Sequence, residues 1–417
     1  MNVVSEDVPE RPLRIAYCEG NVDGTIGGSY FSLLFLVSRL DRKRFIPFVV
    51  FHREHALMDR FEEAGIETEI IPPPEPVTWG LKQAEGLGSK WMLPVVLARK
   101  AINLFRTFVW DALKIARWLR NRNVDLLHLN NSVTRNHSWM LAARLIGIPC
   151  ITHERGINTH YSRLARYFAP RLSKVICISK AVRDHLITHG VSKNNLVVIY
   201  NGIDSDLYQP SRSAIELKSE LRIAESARVI GMVGNIRSWK GQDVVIKAIG
   251  HLKARYPEII CLFVGDATEA DRPYQEYLQR LAVDLTVAEN LVFTGYQKEV
   301  ADFISIMDVL VHASVDPEPF GRVLIEAMGQ GKPVVGAGAG AVPEILIAPE
   351  CGLTYPPGDD DALAEAIDQL LTNRSVAMEM GAASRRRVID EFGLDRNVSE
   401  TQRIYTDILE ERVGVGS

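Results

Sequence analysis

The chain has 417 residues, 47% hydrophobic and 24% charged, with a formal net charge of −4. That length is more than one hydrophobic core usually serves and suits two domains, and the slight acidity excludes a chain built as a whole to grip nucleic acid. The five cysteines, Cys18, Cys150, Cys177, Cys261 and Cys351, are scattered, odd in number and without a C-x-x-C pair; this argues against a disulfide frame or a zinc site and for a reducing compartment.

In chain order, the polar and acidic opening "MNVVSEDVPERP" is not a secretion signal. No run of 18 apolar residues follows anywhere, so no membrane span is predicted and a cytoplasmic protein is expected. Strands are predicted at 13–17, 48–51, 68–71, 126–129, 150–152, 174–178 and 196–200. In the second half they are predicted at 229–233, 259–264, 291–293, 309–311 and 334–336. Amphipathic helices fall between most of them, and continuous apolar strands alternating with helices mean parallel sheets covered on both faces.

After the first strand, Gly27 and Gly28 precede a buried, apolar helix whose first turn can face phosphate or acceptor, which makes Gly28 a candidate. Residues 97–122, "LARKAINLFRTFVWDALKIARWLRNR", hold seven basic residues and one acid, Asp111. On one helical wheel Ala101, Phe105, Phe108, Ala112, Ile115 and Leu119 form an apolar stripe. Arg99, Arg106, Lys114, Arg117 and Arg120 gather opposite with Trp110. Such a helix buries its stripe and solvates its cations, and the cationic face also suits an anionic membrane surface. His128 ends the strand "LLHLN", lining a cleft or capping it. "THERG" places His153 at a strand's carboxyl end, with Arg155 as a weaker neighbour. His185 and His189 are four apart, as on a zinc helix, but no third ligand accompanies them; they are expected at the surface.

The strand–helix pattern pauses at 201–213, "NGIDSDLYQPSRS", a turn and linker. The implied domains are 1–203 and 204–395, both doubly wound, with a helix of about 396–417 packing back on the first through Val398, Ile404, Tyr405, Ile408 and Leu409. Ligands in such sheets sit beyond the carboxyl ends of the strands. In the second domain Arg237 and Lys240 stand at a strand-to-helix turn ahead of Gly241, either as solvated loop cations or as partners of phosphate. "PEPFGRVLIEAMGQGKPVVG" then holds Glu318 on a Pro-flanked loop and Glu326 inside a helix opened by Gly321. A helix start is an anion site; one carboxylate can grip the vicinal hydroxyls of a ribose while the other meets a sugar. The plainer alternative is a loop charge and a helix-face charge. Gly336, Gly338 and Ala341 in "GAGAGAVPE" fit the G-x-G-x-x-A dinucleotide fingerprint, so an NAD(P)-dependent oxidoreductase is the second hypothesis. "GQGKP" has the wrong spacing for a Walker A loop.

"EPFGRVLIEAM" resembles the E-x7-E motif of the retaining glycosyltransferases of family four. "VVIYNGIDSDLYQP", "VGNIRSWKGQDVVIKAI", "GKPVVGAGAGAVPEIL" and "GLTYPPGDDDALAEAI" are similar to further segments of that family, in the same order, and together they cover roughly 175–372. The resemblance implies the GT-B fold, two Rossmann-like domains about a cleft. It implies a hexosyltransferase that moves a sugar, with retention, from a nucleoside diphosphate sugar to a hydroxyl acceptor. No metal and no cofactor beyond that substrate would be used. The implied setting is bacterial polysaccharide or glycolipid synthesis on a saccharide or lipid-linked acceptor, with no nucleic-acid partner and with peripheral contact at the inner membrane face through 97–122. Residue by residue it implies catalytic roles for Glu318, His153, Lys240 and Arg237, and donor binding by Glu326, Gly28, Phe320, Gly321, Arg322, Tyr296 and Glu344. The family often has "VGR" before the basic turn. Here Asn235 takes that place and the arginine comes two positions later, which leaves open which guanidinium touches phosphate. A third reading is a non-catalytic sugar-nucleotide binding module.

Overall fold

Two parallel sheets account for the strand–helix alternation. The computed structural model describes residues 11–21, 27–78, 93–204 and 208–414. The opening segment to Glu10, 22–26 of the first loop, 79–92, 205–207 of the linker and the last three residues lie outside that description. The first sheet holds β1 (Leu13–Glu19), β2 (Phe45–Phe51), β3 (Glu67–Ile70), β4 (Leu126–Leu129), β5 (Cys150–Glu154), β6 (Lys174–Cys177) and β7 (Leu196–Val198), in the order β3-β2-β1-β4-β5-β6-β7. The second holds β8 (Val229–Val233), β9 (Ile260–Val264), β10 (Leu291–Phe293), β11 (Val309–His312), β12 (Val334–Ala337) and β13 (Leu353–Tyr355), in the order β10-β9-β8-β11-β12-β13. Neighbouring strands in both run parallel.

The central strands are buried along most of their length. That is why they read as unbroken apolar runs rather than alternating ones. The helices Gln242–Leu252 and Asp360–Thr372 cover one face of the second sheet, where Ile230, Val311 and Val335 pack with Val245, Ile249 and Ile367. β13 escapes a periodicity search: it has three residues, and Thr354 in its middle is exposed.

Each sheet has one switch point. After β3 the chain crosses to the far side of β1 to lay down β4, and after β10 it crosses to the far side of β8 to lay down β11. Neighbouring loops diverge there, and the gap at the carboxyl ends is where ligands bind in such sheets. In the second sheet the loops on either side of that gap carry Lys240 and Glu318.

The chain forms two compact units. One takes the chain up to Ile178, Arg183–Ile199 and the chain from Val398 onward; the other takes Ser179–Val182 and Tyr200–Asn397. The helix Leu394–Gly414 buries Val398, Ile404, Tyr405 and Ile408.

The basic segment departs from the single wheel. It is a helix Leu93–Leu104, a π-helical turn Phe105–Trp110 and a helix Asp111–Asn121. After the π turn the expected stripe is buried at Ala112, Ile115 and Leu119. Ala101 before it and Phe105 at its start are exposed, Phe105 by 56%, and Asn103 faces the protein instead. Its amide accepts from the Val77 N–H at 2.7 Å and donates to the Val77 carbonyl at 3.1 Å. A wider turn shifts the helical register, so the stripe cannot stay in the core along its whole length. Leu104, Phe105, Trp110 and Leu113 share the exposed surface with Arg106, Lys114 and Arg117.

Candidate functional site

Two glycines bring the acid and base of the second unit together. The loop after β8 passes through Arg237 and a short turn Ser238–Lys240 to Gly241, which begins the helix Gln242–Leu252. Gly241 has φ 75°, and a Cβ there would lie 2.1 Å from the Ala313 carbonyl oxygen. The Val315 N–H donates to the Trp239 carbonyl at 2.9 Å. The basic loop is therefore clasped, backbone to backbone, against the loop after β11. On the other side Gly340, at φ 61°, would place a Cβ 2.2 Å from the Glu318 carbonyl oxygen, and the Ala341 N–H donates to that oxygen at 2.8 Å. Only glycine allows these approaches. This is what the Gly-rich turn does here. The helix after it, Val342–Ile345, has four residues, so it does not continue as the helix of a dinucleotide fingerprint.

Held from both sides, Glu318 presents Oε2 to Lys240 Nζ at 2.7 Å, Ser314 Oγ at 3.0 Å and His312 Nε2 at 3.1 Å. Lys240 also lies 4.1 Å from the centre of the Trp239 ring. Burial alone would push the Glu318 carboxyl up. The hydrogen bond from His312 and the charge of Lys240 outweigh it and hold the group well below the usual carboxylate range.

Glu326 has a separate set of partners. It lies inside the helix Arg322–Gly329, 8% exposed. Its Oε1 accepts from the Tyr208 hydroxyl at 2.9 Å and from Arg322 Nη2 at 3.3 Å. Burial, then the Glu326 charge, pushes the Tyr208 phenol up, so it stays a neutral donor. Gly321 caps the helix start with φ 83°.

Other predicted residues stand apart from these clusters. Phe320 is a core side chain, 2% exposed, with its ring 6.2 Å from Tyr200 and 6.0 Å from Phe392. Glu344 accepts from the Lys180 and Ala181 N–H groups, each at 2.9 Å, and from the Tyr200 hydroxyl at 3.0 Å. It caps the helix Lys180–Thr188, whose unpaired first-turn N–H groups and dipole attract a carboxylate. Arg237 stays on the basic loop with Nε 3.3 Å from Asp271. Tyr296 is 73% exposed. Gly28 is exposed at the opening of the helix Gly28–Ser38.

In the first unit His153 is the last residue but one of β5, 2% exposed, with Nδ1 at 2.6 Å from His128 Nε2. His128 is fully buried behind it and does not line or cap an opening. Arg155 folds back onto Asn130, donating from Nε to its carbonyl at 3.0 Å and from Nη2 to its side-chain oxygen at 2.8 Å. His185 and His189 are half-buried rather than on the surface; His185 bonds the Asn158 carbonyl at 2.8 Å. Sequence reasoning passed over His312, Ser314 and Tyr208. The position of His312 at a strand's carboxyl end was the available signal, the same one that marked His153. Tyr208 offered none, because its contact with Glu326 spans 118 positions.

The chain matches two family models, "Glycosyltransferase Family 4" over residues 55–207 and "Glycosyl transferases group 1" over residues 213–387. An N-acetyl-alpha-D-glucosaminyl L-malate synthase of Bacillus anthracis is 28% identical over 311 residues, 72% of this chain and 79% of that protein. A GDP-mannose-dependent alpha-(1-6)-phosphatidylinositol monomannoside mannosyltransferase of Mycolicibacterium smegmatis is 32% identical over 199 residues, 46% of this chain and 51% of that protein. The match thus spans between half and four-fifths of these relatives. Among solved structures, Anabaena HepE in complex with UDP superposes with a TM-score of 0.79 at 23% identity, covering 95% of this chain and all of that one. A Rickettsia africae glycosyltransferase gives a TM-score of 0.80 at 22% identity, covering 95% of this chain and 99% of that one.

Two predictions follow from the clasp. Gly340→Ala is expected to lower the unfolding free energy by about 2 kcal/mol or more, since a left-handed residue costs about 1–2 kcal/mol before any clash; urea denaturation measures it. The Glu318 carboxyl is held down in the folded state, so it stabilises the fold above its unfolded value of about 4.3. That gain is lost as the pH falls from there toward the folded value. The stability difference between wild type and Glu318→Gln should therefore shrink below about pH 4 in pH-resolved unfolding curves.

Proposed function

The chain belongs to glycosyltransferase family four and has the GT-B fold, and on that premise we propose that it transfers a sugar, with retention and without a metal, from a nucleoside diphosphate sugar to a hydroxyl acceptor. The observation that carries this reading is the Lys240–Glu318 pair clasped at the switch point of the second sheet. As the bond to the sugar breaks, the leaving diphosphate gains about one negative charge, and a cation already fixed in place stabilises that charge with little reorganisation. Lys240 is such a cation. Arg237 is a second once it exchanges Asp271 for phosphate. Glu318 takes the sugar side, and Glu326 takes the ribose hydroxyls in place of the Tyr208 hydroxyl. We read the transfer as a front-face reaction in which the leaving phosphate accepts the acceptor's proton. The fingerprint that favoured an oxidoreductase has another use in the clasp, and the intact acids and cations argue against a non-catalytic binding module.

UDP and GDP sugars are the first donors to test, because HepE was solved with UDP and with UDP-glucose and the mycobacterial relative is named for GDP-mannose. The mycobacterial relative, named for phosphatidylinositol monomannoside, supports a lipid-linked acceptor, whereas the Bacillus relative is named for the small acceptor L-malate. A thermal-shift screen of UDP, GDP, ADP and their sugars identifies the donor: ligand at about 100 times its dissociation constant adds roughly 2.7 kcal/mol. With that donor, Lys240→Ala is expected to lose about 100-fold or more in kcat. Glu326→Gln is expected to weaken donor binding more than turnover, because a neutral amide accepts hydroxyl hydrogens less well than a carboxylate. EDTA should leave the wild-type rate unchanged; a strict requirement for a divalent ion would sink the metal-free reading.

We also propose that the first unit rests on an anionic membrane surface through 97–117. The support is the exposed set of Leu104, Phe105, Trp110 and Leu113 interleaved with Arg106, Lys114 and Arg117. Apolar groups at this position enter the interfacial layer while each cation contributes about 1 kcal/mol against anionic lipid. No helix among the described residues is long and apolar enough to cross a membrane, so the contact is peripheral. Co-sedimentation should favour anionic over neutral vesicles, weaken with salt, and weaken further in Phe105→Ser/Trp110→Ser. Equal binding to both vesicle types, or no binding at low salt, counts against it.

A further inference from the structure

A buried hydrogen-bond relay crosses one face of the first sheet. The strand register sets Tyr17 on β1 opposite His128 on β4, and His128 opposite Ile151 on β5. Side chains alternate along a strand, so His153, two positions beyond Ile151, shares that face with Tyr17 and His128. Tyr405, from the helix Leu394–Gly414, joins them. Its hydroxyl lies 2.8 Å from that of Tyr17 and 2.7 Å from His128 Nδ1, and His128 Nε2 lies 2.6 Å from His153 Nδ1. Tyr17, His128 and Tyr405 are completely buried and His153 is 2% exposed. The rings of His128 and His153 are close to parallel, at 12°.

Counting protons gives the relay a direction. Three hydrogen bonds need three hydrogens; a phenol supplies one, and so does a neutral imidazole. Burial first, and the Arg155 charge second, holds both histidines well below the ordinary value, so both rings are neutral. His128 is bonded at both nitrogens, so it donates at one and accepts at the other. If His153 donated from Nδ1, His128 would donate from Nδ1 to the Tyr405 oxygen, and either Tyr405 or Tyr17 would hold its own hydrogen against no acceptor, because each phenol then has only the other left to donate to. An unmade donor in the core is the costly arrangement. The opposite order satisfies the whole chain: Tyr17 donates to Tyr405, Tyr405 donates to His128 Nδ1, and His128 Nε2–H donates to His153 Nδ1. The His153 hydrogen then sits on Nε2. That atom has no hydrogen-bond partner among the described residues, and it belongs to a side chain at the carboxyl end of a strand.

We infer that Tyr405 and His128 are positioning residues that hold His153 as its Nε2–H tautomer, so that it meets the sugar as a hydrogen-bond donor and not as a base. The inference rests on the proposed glycosyl transfer, with His153 as the group that touches the donor sugar. A neutral N–H donor suits an oxygen acceptor, a sugar hydroxyl or ring oxygen. It leaves the acceptor's proton to the departing phosphate. It also gives the helix Leu394–Gly414 a part in the chemistry of a strand more than 250 positions earlier.

The test is histidine-selective 15N NMR on the intact, ligand-free protein, which reads tautomers without any substrate. The wild type should show His153 protonated at Nε2 and bare at Nδ1, unchanged from about pH 6 to 8. Tyr405→Phe removes the donor to His128 Nδ1, frees that ring to reverse, and should bring in the Nδ1–H form of His153. With the nucleotide sugar selected by the thermal-shift screen, the same variant should lose about tenfold or more in kcat with the donor KM within about twofold, as expected for a wrongly held tautomer. Tyr17→Phe keeps the Tyr405 donation and should keep both the tautomer and kcat. A His153 already protonated at Nδ1 in the wild type overturns the inference. So does a Tyr405→Phe protein that melts earlier while its tautomer and kcat stay unchanged. A wild type that transfers no sugar from any nucleotide sugar would instead fail the proposed function, with the tautomer measurement still standing by itself.

Discussion

The second unit depends on two places where backbone meets backbone. Gly241 lies against the Ala313 carbonyl and Gly340 against the Glu318 carbonyl, each at a distance that leaves no room for a Cβ. These contacts draw three loops together at the switch point of the second sheet and leave Glu318 little choice of partner. The loop after β8 brings Lys240 to it, and the loop after β11 supplies His312 and Ser314. A largely buried carboxylate is costly unless paired and hydrogen-bonded, and here three donors converge on one oxygen. The result is an acid and a base held ready in geometry rather than gathered by a ligand. Preorganised charge of this kind is what the departure of a diphosphate, as proposed here, requires.

The same economy of position runs through the first unit. Its polar groups at the carboxyl ends of the strands are tied back into the protein. Asn130 and Asn131 donate to the buried Glu19, Arg155 grips Asn130, and His153 leans on His128. Burial pushes Glu154 up to about 7 even with the Val133 N–H, Ser132 and Asn158 bonded to it. Among the described residues His153 Nε2 is left without a hydrogen-bond partner at this rim.

The π turn at Phe105–Trp110 shows how a small backbone event alters function. A regular helix would bury the apolar stripe and turn the cations and Trp110 outward. The wider turn divides the stripe, so that Phe105 joins them on the exposed face. A cationic face alone suits any anion, whereas a face that mixes aromatic and basic groups matches the layered chemistry of a lipid surface.

The sequence by itself determined the architecture and the family. Most buried parallel strands are apolar along their length, so twelve of the thirteen were legible, whereas the short β13, broken by the exposed Thr354 at its middle, was not. The acids at 318 and 326, the basic turn and its glycine were legible because local chemistry dictates residue type at fixed spacing. Partnership was not. Spacing placed Glu344 with the donor and Phe320 beside it. The tertiary structure gives Glu344 to the open N–H groups of the helix Lys180–Thr188 and Phe320 to an aromatic core with Tyr200 and Phe392. The partners of Glu326 and His153 come from 118 and 25 positions away. Periodicity reports which face of an element is buried; what lies against that face depends on long-range packing, and only the folded chain decides it.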